Sequence, residues 1–185
     1  MKLNLQDLIA SDWTLFLDRD GVINIEQKND YVRIWEMFQF CENAKDSFSI
    51  FSNIFKRTFI VTNQRGVEKG IMDLATLISI HDRMKNQIIE AGGRIDKIYF
   101  CTALTDSDIN RKPNPGMADQ AKTDFPEIDL TKSIMVGNSS SDMKFGRNCG
   151  MKTVFITNND PKEVDEALVD YAFSSLYEFA RYLIN

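Results

Sequence analysis

The chain alternates short apolar runs with longer segments of helical period, and each apolar run stops in polar residues that favour turns. Runs of this length are too short for a helix and suit buried strands. They lie at Thr14–Leu17, Thr58–Val61, Lys97–Phe100, Ser133–Val136 and Thr153–Ile156. The alternation predicts a doubly wound α/β fold with a mainly parallel sheet.

The segments between these runs carry apolar residues at spacings of three and four, as one helix face requires. Phe48, Phe51 and Phe55 show the pattern. We predict helices at Glu42–Phe55, Met72–Ala91, Gly116–Phe125, Ser141–Cys149 and Ser175–Ile184. Because the sequence shows no repeat, low-complexity stretch or linker, we expect a single domain over residues 1–185.

Composition limits the function. The 27 acidic and 22 basic residues give a net charge of −5, which argues against nucleic acid or an anionic membrane as partner. A signal peptide and a long apolar run are both absent from the sequence, so we expect a cytoplasmic protein. One histidine and three scattered cysteines leave little room for zinc ribbons or disulfides. The catalytic groups are therefore expected to be carboxylates.

The first polar cluster follows the first apolar run. Asp18 and Asp20 stand two residues apart and Gly21 comes next. In sheets of this kind ligands bind beyond the carboxyl ends of the strands. Two close carboxylates repel each other unless a cation relieves them, and Mg²⁺ suits oxygen ligands. The alternative is a solvated turn.

The second cluster, Thr62-Asn63-Gln64-Arg65, ends the second run. Its hydroxyl, amides and backbone N–H groups can cradle phosphate oxygens, and Arg65 adds a positive charge. The alternative is a polar turn that leads into the next helix.

The third cluster places Lys112 after Arg111 and before two prolines, Pro113 and Pro115. Proline restrains the backbone, so the lysine is presented from a stiff segment and can neutralise a phosphate or an aspartate. The alternative is an exposed basic turn before a helix.

The fourth cluster follows the Ser133–Val136 run. Asn138 and, four residues later, Asp142 can supply oxygen ligands to a Mg²⁺ held by Asp18, or orient such ligands. The alternative is a helix start, with Ser140 or Ser141 as the N-cap and Asp142 as a favourable charge in the first turn.

Taken in this order, the segments LFLDRDGVIN, VTNQRGV, RKPNPGM and MVGNSSSDM resemble the haloacid dehalogenase-like phosphohydrolase superfamily. The resemblance runs from about Leu15 to Thr157. It is strongest to the branch that contains D,D-heptose 1,7-bisphosphate phosphatases and histidinol phosphatases. It implies a Rossmann-like core.

The resemblance implies specific roles. Asp18 would attack phosphorus and form an aspartyl phosphate, and Asp20 would protonate the leaving alcohol and then help to activate water. Thr62 and Lys112 would bind the transferring phosphoryl group. Mg²⁺ would be held by Asp18, the backbone carbonyl of Asp20 and Asn138.

The resemblance also implies substrate contacts. Arg65 and Arg111 would contact the rest of the substrate. The same opening of the active site would be lined by Asn63, Gln64 and the loop Glu26–Tyr31. The intervals between the clusters are too short for an inserted cap domain, so short loops are expected to select the substrate. The other two such loops are Arg65–Gly70 and Cys101–Asn110.

Two features depart from the family pattern. Relatives usually carry a zinc-binding loop of cysteine and histidine before their Arg-Lys-Pro motif, whereas this chain offers only Cys101, so we predict no zinc. Asn138 stands where most relatives have aspartate. The metal site then loses one formal negative charge, and Asp142 is expected to carry more of the binding.

These observations predict a Mg²⁺-dependent phosphomonoester hydrolase acting on a small phosphorylated metabolite, such as a heptose bisphosphate, as a monomer or small homo-oligomer. The alternatives are a histidinol-phosphate phosphatase, a receiver-like phosphoprotein and a degraded, non-catalytic member of the superfamily. The lone histidine, His81, is expected at a helix surface or partly packed, without a catalytic role.

Overall fold

A computed structural model describes residues 12–28, 30–158 and 163–185. Within these ranges one sheet contains six strands, all parallel, in the order β3-β2-β1-β4-β5-β6. The strands are β1 Thr14–Leu17, β2 Arg57–Asn63, β3 Lys97–Cys101, β4 Ser133–Gly137, β5 Lys152–Ile156 and β6 Tyr171–Phe173.

The central strand β1 lies between β2 and β4, where the winding of the chain reverses. Leu17 at its end pairs with Ile60 of β2 and with Val136 of β4. The residues that follow these three strands therefore emerge side by side at one edge of the sheet. Such a switch point is where open α/β sheets bind their ligands.

Helices cover both faces of the sheet: α1 Ala44–Ile54, α2 Leu74–Glu90, α3 Gly116–Asp124, α4 Ser140–Asn148 and α5 Leu176–Ile184. The first, second and fifth helices share a core with Leu15 and Leu17. The third and fourth pack with Phe16, which points to the opposite face. The predicted doubly wound, parallel architecture is confirmed.

The structure differs from the predicted elements mainly at their ends. The first, second and fifth helices begin one or two residues later than predicted, α3 begins at the predicted residue and α4 begins one residue earlier. The strand β2 extends by one residue at its start and two at its end. The edge strand β6 was not predicted, because its three residues are only partly buried and lack a strong apolar pattern. Three short 3₁₀ turns complete the described elements, at Trp35–Met37, Leu130–Lys132 and Glu166–Leu168.

The prediction that no cap domain is inserted is confirmed for the described residues. Between Asp20 and Thr62 the chain forms a loop with one 3₁₀ turn, then α1 and β2. Across the ranges that the structure describes, none of the helices is both long and apolar enough to cross a lipid bilayer.

Candidate active site

A buried cluster of one ammonium and two carboxylates lies where β1 and β4 end. Nζ of Lys112 donates to Oδ1 of Asp18 at 2.8 Å, to Oδ1 of Asp142 at 2.6 Å and to the carbonyl of Val61 at 2.7 Å. The exposed fractions of the side chains are 2% for Lys112, 12% for Asp18 and 1% for Asp142. An ammonium has three protons, so these contacts use all of them.

The pKa values of Asp18 and Lys112 are both raised, for different physical reasons. Burial raises the pKa of Asp18 well above its usual range, against the pull of Lys112 and with help from the charges of Asp142 and Asp20. Burial also disfavours the charged lysine, but the two carboxylates that it contacts outweigh this and raise the pKa of Lys112. Lys112 is therefore held as an ammonium.

Asp20 lies beside this cluster and is surrounded by donors. Arg19 Nη2 lies 2.9 Å from each of its oxygens, Asn24 donates to Oδ1 at 2.9 Å and Gln64 donates to Oδ2 at 2.8 Å. Burial would raise the pKa of Asp20, but the guanidinium of Arg19 and these hydrogen bonds outweigh it and lower the pKa. The resting side chain is a carboxylate.

Arg19 is the feature that the sequence analysis missed. Its side chain is 1% exposed and reaches inward, where Nη1 lies 3.1 Å from Nε2 of His81. The sequence analysis expects His81 at the helix surface or partly packed, whereas the structure buries it to 4% exposure. The spacing of His81 four residues after Leu77 and three before Met84 could have placed it on the apolar face.

Burial, with the nearby charge of Arg19, lowers the pKa of His81 to about 3. The ring is therefore neutral at ordinary pH and accepts the proton of Arg19 through Nε2. His81 contacts the site only through this arginine.

The end of β2 is tied to Asp20 and to the backbone of Lys112. Gln64 Nε2 donates to Thr62 Oγ1 at 2.9 Å as well as to Asp20. Asn63 exchanges two hydrogen bonds with the backbone of Lys112, at 3.2 and 3.1 Å. These contacts join Thr62, Asn63 and Gln64 to Asp20 and to Lys112, whose Nζ donates to Asp18.

The two predicted substrate arginines meet at a carboxylate that the sequence analysis did not single out. Arg111 Nε donates to Oδ1 of Asp106 at 2.9 Å, and Arg65 donates to the same oxygen. The Asp106 side chain is 82% exposed. The guanidinium groups of Arg65 and Arg111 therefore lie together at the rim of the site, and Asp106 is the counter-ion of both.

After β4, Asp142 has two separate sets of contacts. Its Oδ2 accepts from the backbone N–H groups of Asn138 and Ser139 at 3.2 and 3.0 Å and from Ser139 Oγ at 2.6 Å, while Oδ1 accepts from Lys112. The N-cap of α4 is Ser139 and not the predicted Ser140 or Ser141, because Ser139 and Asp142 form a capping box. These contacts engage both oxygens of Asp142, the residue expected to strengthen the metal site.

Asn138 is packed against the loop that follows β1. Its Nδ2 donates to Oε2 of Glu26 at 3.3 Å. Gly21 has a φ of +80°, and a Cβ built on it would lie 1.9 Å from Nδ2 of Asn138. Only glycine permits both this backbone conformation and this close approach.

The donors at this edge fit Mg²⁺. In the described residues no three His, Cys, Asp or Glu side chains converge as a metal cluster. The candidate ligands are instead oxygens of mixed type: the carboxylate of Asp18, the backbone carbonyl of Asp20 and the amide of Asn138. Burial, with the added negative charges of Asp142 and Asp20, raises the pKa of Asp18, and a dication beside this side chain would favour its charged form.

The three loops expected to select the substrate touch one another. Lys69 Nζ donates to the hydroxyl of Tyr31 at 2.9 Å, and Glu68 accepts from Thr102 Oγ1 at 3.2 Å and from Leu104 N at 3.3 Å. The first of them, Glu26–Tyr31, borders a cavity of about 130 Å³, lined by Arg19, Asp20, Glu26, Gln27, Asp30, Tyr31, Val32, Asn63 and Gln64. Residue 29 of the first loop lies outside the described residues.

The loop before Lys112 is closed by hydrogen bonds. Asn114 Nδ2 donates to the carbonyls of Asp106 and Asp108 at 2.9 and 2.8 Å. Cys101 Sγ lies 3.7 Å from Oδ1 of Asp108. The absence of zinc stays a prediction.

Comparisons with known proteins agree with this geometry. The profile of a family described as HAD-hydrolase-like matches residues 109–179, which include Lys112, Asn138 and Asp142. A D-glycero-α-D-manno-heptose-1,7-bisphosphate 7-phosphatase of Campylobacter jejuni is 38% identical over 151 residues, covering 82% of this chain and 86% of that protein. A D-glycero-β-D-manno-heptose-1,7-bisphosphate 7-phosphatase of Vibrio cholerae is 32% identical, covering 92% of this chain and 96% of that protein.

A solved structure shows the same fold. The D,D-heptose 1,7-bisphosphate phosphatase from B. bronchiseptica, complexed with magnesium and phosphate, matches with a TM-score of 0.82 and 25% identity, covering 92% of this chain and 97% of that chain. Relatives above 30% identity thus cover most of the chain, and the ordered clusters lie together at one edge of the sheet. The chain belongs to the haloacid dehalogenase-like phosphohydrolases.

Proposed function

We propose that this chain hydrolyses a phosphate ester of a heptose bisphosphate with Mg²⁺ as cofactor, through an aspartyl phosphate on Asp18. The observation that carries the proposal is the contact of Lys112 with both Asp18 and Asp142 at the end of β1. Relatives named as heptose-bisphosphate 7-phosphatases support the substrate. We propose a single catalytic domain for the whole chain.

In the first step an oxygen of Asp18 attacks phosphorus, and the bond from phosphorus to the sugar oxygen breaks. The leaving oxygen takes a proton from Asp20. Because the resting Asp20 is a carboxylate, it takes up this proton in the substrate complex, where the phosphate adds negative charge beside it. Gln64 donates to both Asp20 and Thr62 and so holds these two side chains close to each other.

In the second step water attacks phosphorus and the Asp18 oxygen leaves as a carboxylate. Asp20 accepts the proton of that water and returns to its resting state. Thr62 binds a phosphoryl oxygen through its hydroxyl proton, and Lys112 binds one by exchanging one of its three contacts in the free protein for it. Asp18, the backbone carbonyl of Asp20 and Asn138 would hold Mg²⁺, which would supply charge neutralisation for the phosphoryl group.

Asp142 acts on this chemistry through Lys112. One of its oxygens holds the ammonium and the other caps α4, so the lysine is fixed between Asp142 and Asp18. The role of Asp142 is to position Lys112, in place of the direct metal ligation expected from the sequence.

The rim of the site suits a substrate with a second phosphate. Arg65 and Arg111 share Asp106 in the free protein and can exchange this exposed carboxylate for a phosphate. The neighbouring cavity is lined by polar side chains that can bind sugar hydroxyls, among them Gln27 and Tyr31.

The test is kcat/KM with Mg²⁺ for both anomers of D-glycero-D-manno-heptose 1,7-bisphosphate, histidinol phosphate and nucleotides. We expect a heptose bisphosphate to give the highest value. A higher value for histidinol phosphate would assign the chain to the alternative activity. Stable phosphorylation without turnover would support the receiver-like alternative.

A further inference from the structure

We infer that Glu26 is a positioning residue that orients the amide of Asn138 and supplies the negative charge that this amide lacks. The inference rests on the proposed function, because it concerns the Mg²⁺ held by Asn138. It assigns a role to a residue that lies far from Asn138 in sequence and belongs to a different loop.

The contact fixes which end of the amide faces the metal position. A carboxylate only accepts hydrogen bonds, so Oε2 of Glu26 selects the Nδ2 end of Asn138, at 3.3 Å. The amide oxygen is then directed away from Glu26.

The surroundings leave the Asn138 side chain little freedom. It is 3% exposed, and its amide lies so close to Gly21 that a Cβ there would overlap Nδ2. Its backbone N–H is bound to Asp142, which also holds Lys112. Rotation of the terminal amide is the freedom that remains, and the contact with Glu26 restricts it.

The negative charge of Glu26 gives its contact with Asn138 a second effect on the metal site. An amide is neutral, whereas an aspartate at position 138 would carry a negative charge into the metal site. Glu26 places a carboxylate directly behind the amide, and groups in this outer position tune how strongly a ligand binds metal. Glu26 therefore compensates for an asparagine at a metal-binding position.

The experiment is a calorimetric titration of Mg²⁺ into the full chain and its variants, without substrate. We expect Glu26→Ala to weaken Mg²⁺ binding by about tenfold, as loss of an outer-sphere partner does, and Glu26→Gln to weaken it less, because glutamine keeps an acceptor oxygen. Glu90→Gln, at the far end of α2, removes the same charge and is expected to leave the Kd unchanged.

The decisive comparison uses Asn138→Asp. In this background Glu26 faces a carboxylate, so Glu26→Ala is expected to leave Mg²⁺ affinity unchanged or to increase it. Equal losses in both backgrounds, or no loss in the Asn138 protein, would overturn the inference while leaving the proposed function intact. If the unaltered chain bound no Mg²⁺ at millimolar concentration, both would be overturned. Because the Glu26 side chain is exposed, thermal unfolding without metal should be the same for the unaltered chain, Glu26→Ala and Glu26→Gln.

Discussion

The ammonium nitrogen of Lys112 lies 2.8 Å from Oδ1 of Asp18, and both side chains are almost withdrawn from solvent. This contact joins the end of the central strand to a loop 94 residues later. It neutralises part of the charge on the proposed nucleophile and places a cation where phosphoryl oxygens would bind. Several consequences of this arrangement can be measured.

Replacing Lys112 by methionine should impair both stability and turnover. Removing one partner of a buried ion pair leaves uncompensated carboxylates, which costs about 3 kcal/mol in the free energy of unfolding. Loss of a preorganised charge at the reacting group should lower kcat by about a hundredfold or more. Urea unfolding and steady-state kinetics measure the two effects.

The matched control is Lys122→Met on the exposed side of α3, for which unchanged kinetics are expected. Equal behaviour of the two variants would contradict the role of Lys112.

Gly21 and Gly70 both have a positive φ, but a side chain at Gly21 would overlap Asn138 and one at Gly70 would not. Alanine substitutions at the two positions therefore distinguish backbone strain from steric overlap. Gly21→Ala should be clearly more destabilising than Gly70→Ala, because its Cβ would overlap Asn138, whereas no atom lies within 4 Å at Gly70. The φ values are similar, +80° and +68°, so the strain alone costs roughly 1 kcal/mol at each. Denaturant unfolding gives the difference, and Mg²⁺ titration should show weaker binding only for Gly21→Ala. Equal destabilisation would mean that Asn138 moves aside without cost.

His81 predicts a pH dependence of stability. Its native pKa is depressed to about 3, while the unfolded chain has an ordinary histidine, so between these values the unfolded state binds the extra proton. The stability that the neutral ring contributes is complete above about pH 6.5 and is lost as the pH falls. The slope is at most about 1.4 kcal/mol per pH unit.

The measurement is the free energy of unfolding of the unaltered chain and of His81→Gln at several pH values between 7 and 4. Glutamine keeps an acceptor for Arg19 and does not titrate. The stability difference between the two proteins should therefore shift in favour of His81→Gln as the pH falls. Parallel curves would show that the native ring protonates normally.

Metal removal should show whether turnover depends on Mg²⁺ or on zinc. Chelation is expected to abolish turnover, and Mg²⁺ alone should restore it, because the oxygen donors around Asp18 suit a hard cation. Cys101→Ser should retain the kcat/KM of the unaltered chain. Metal analysis of the purified protein that found stoichiometric zinc, lost in Cys101→Ser, would contradict the prediction.

The parts of the site that the sequence predicted are those fixed by the sheet. Asp18, Thr62 and Asn138 follow or end neighbouring parallel strands, so the topology alone brings them to one edge. The family resemblance gave Lys112 the role of binding the phosphoryl group, and the structure places it against Asp18. Short segments with strong apolar patterns, such as β1, were also predicted at their correct positions.

The parts that were missed depend on contacts between residues distant in sequence. Arg19 turns inward to His81, 62 residues away, and Glu26 reaches Asn138, 112 residues away. Asp106 gathers two arginines because a loop folds back over the end of β2. Local patterns carry no information about such partners, whose positions are set only when the loops pack.

The central claim is that Asp18 forms a covalent phosphoenzyme. Borohydride reduces an aspartyl phosphate to homoserine, so the chain should be trapped during turnover with a heptose bisphosphate and Mg²⁺ and its peptides analysed by mass spectrometry. The account predicts homoserine at position 18 in the presence of substrate and its absence without substrate. Continued turnover by Asp18→Asn, or trapping at another aspartate, would contradict it.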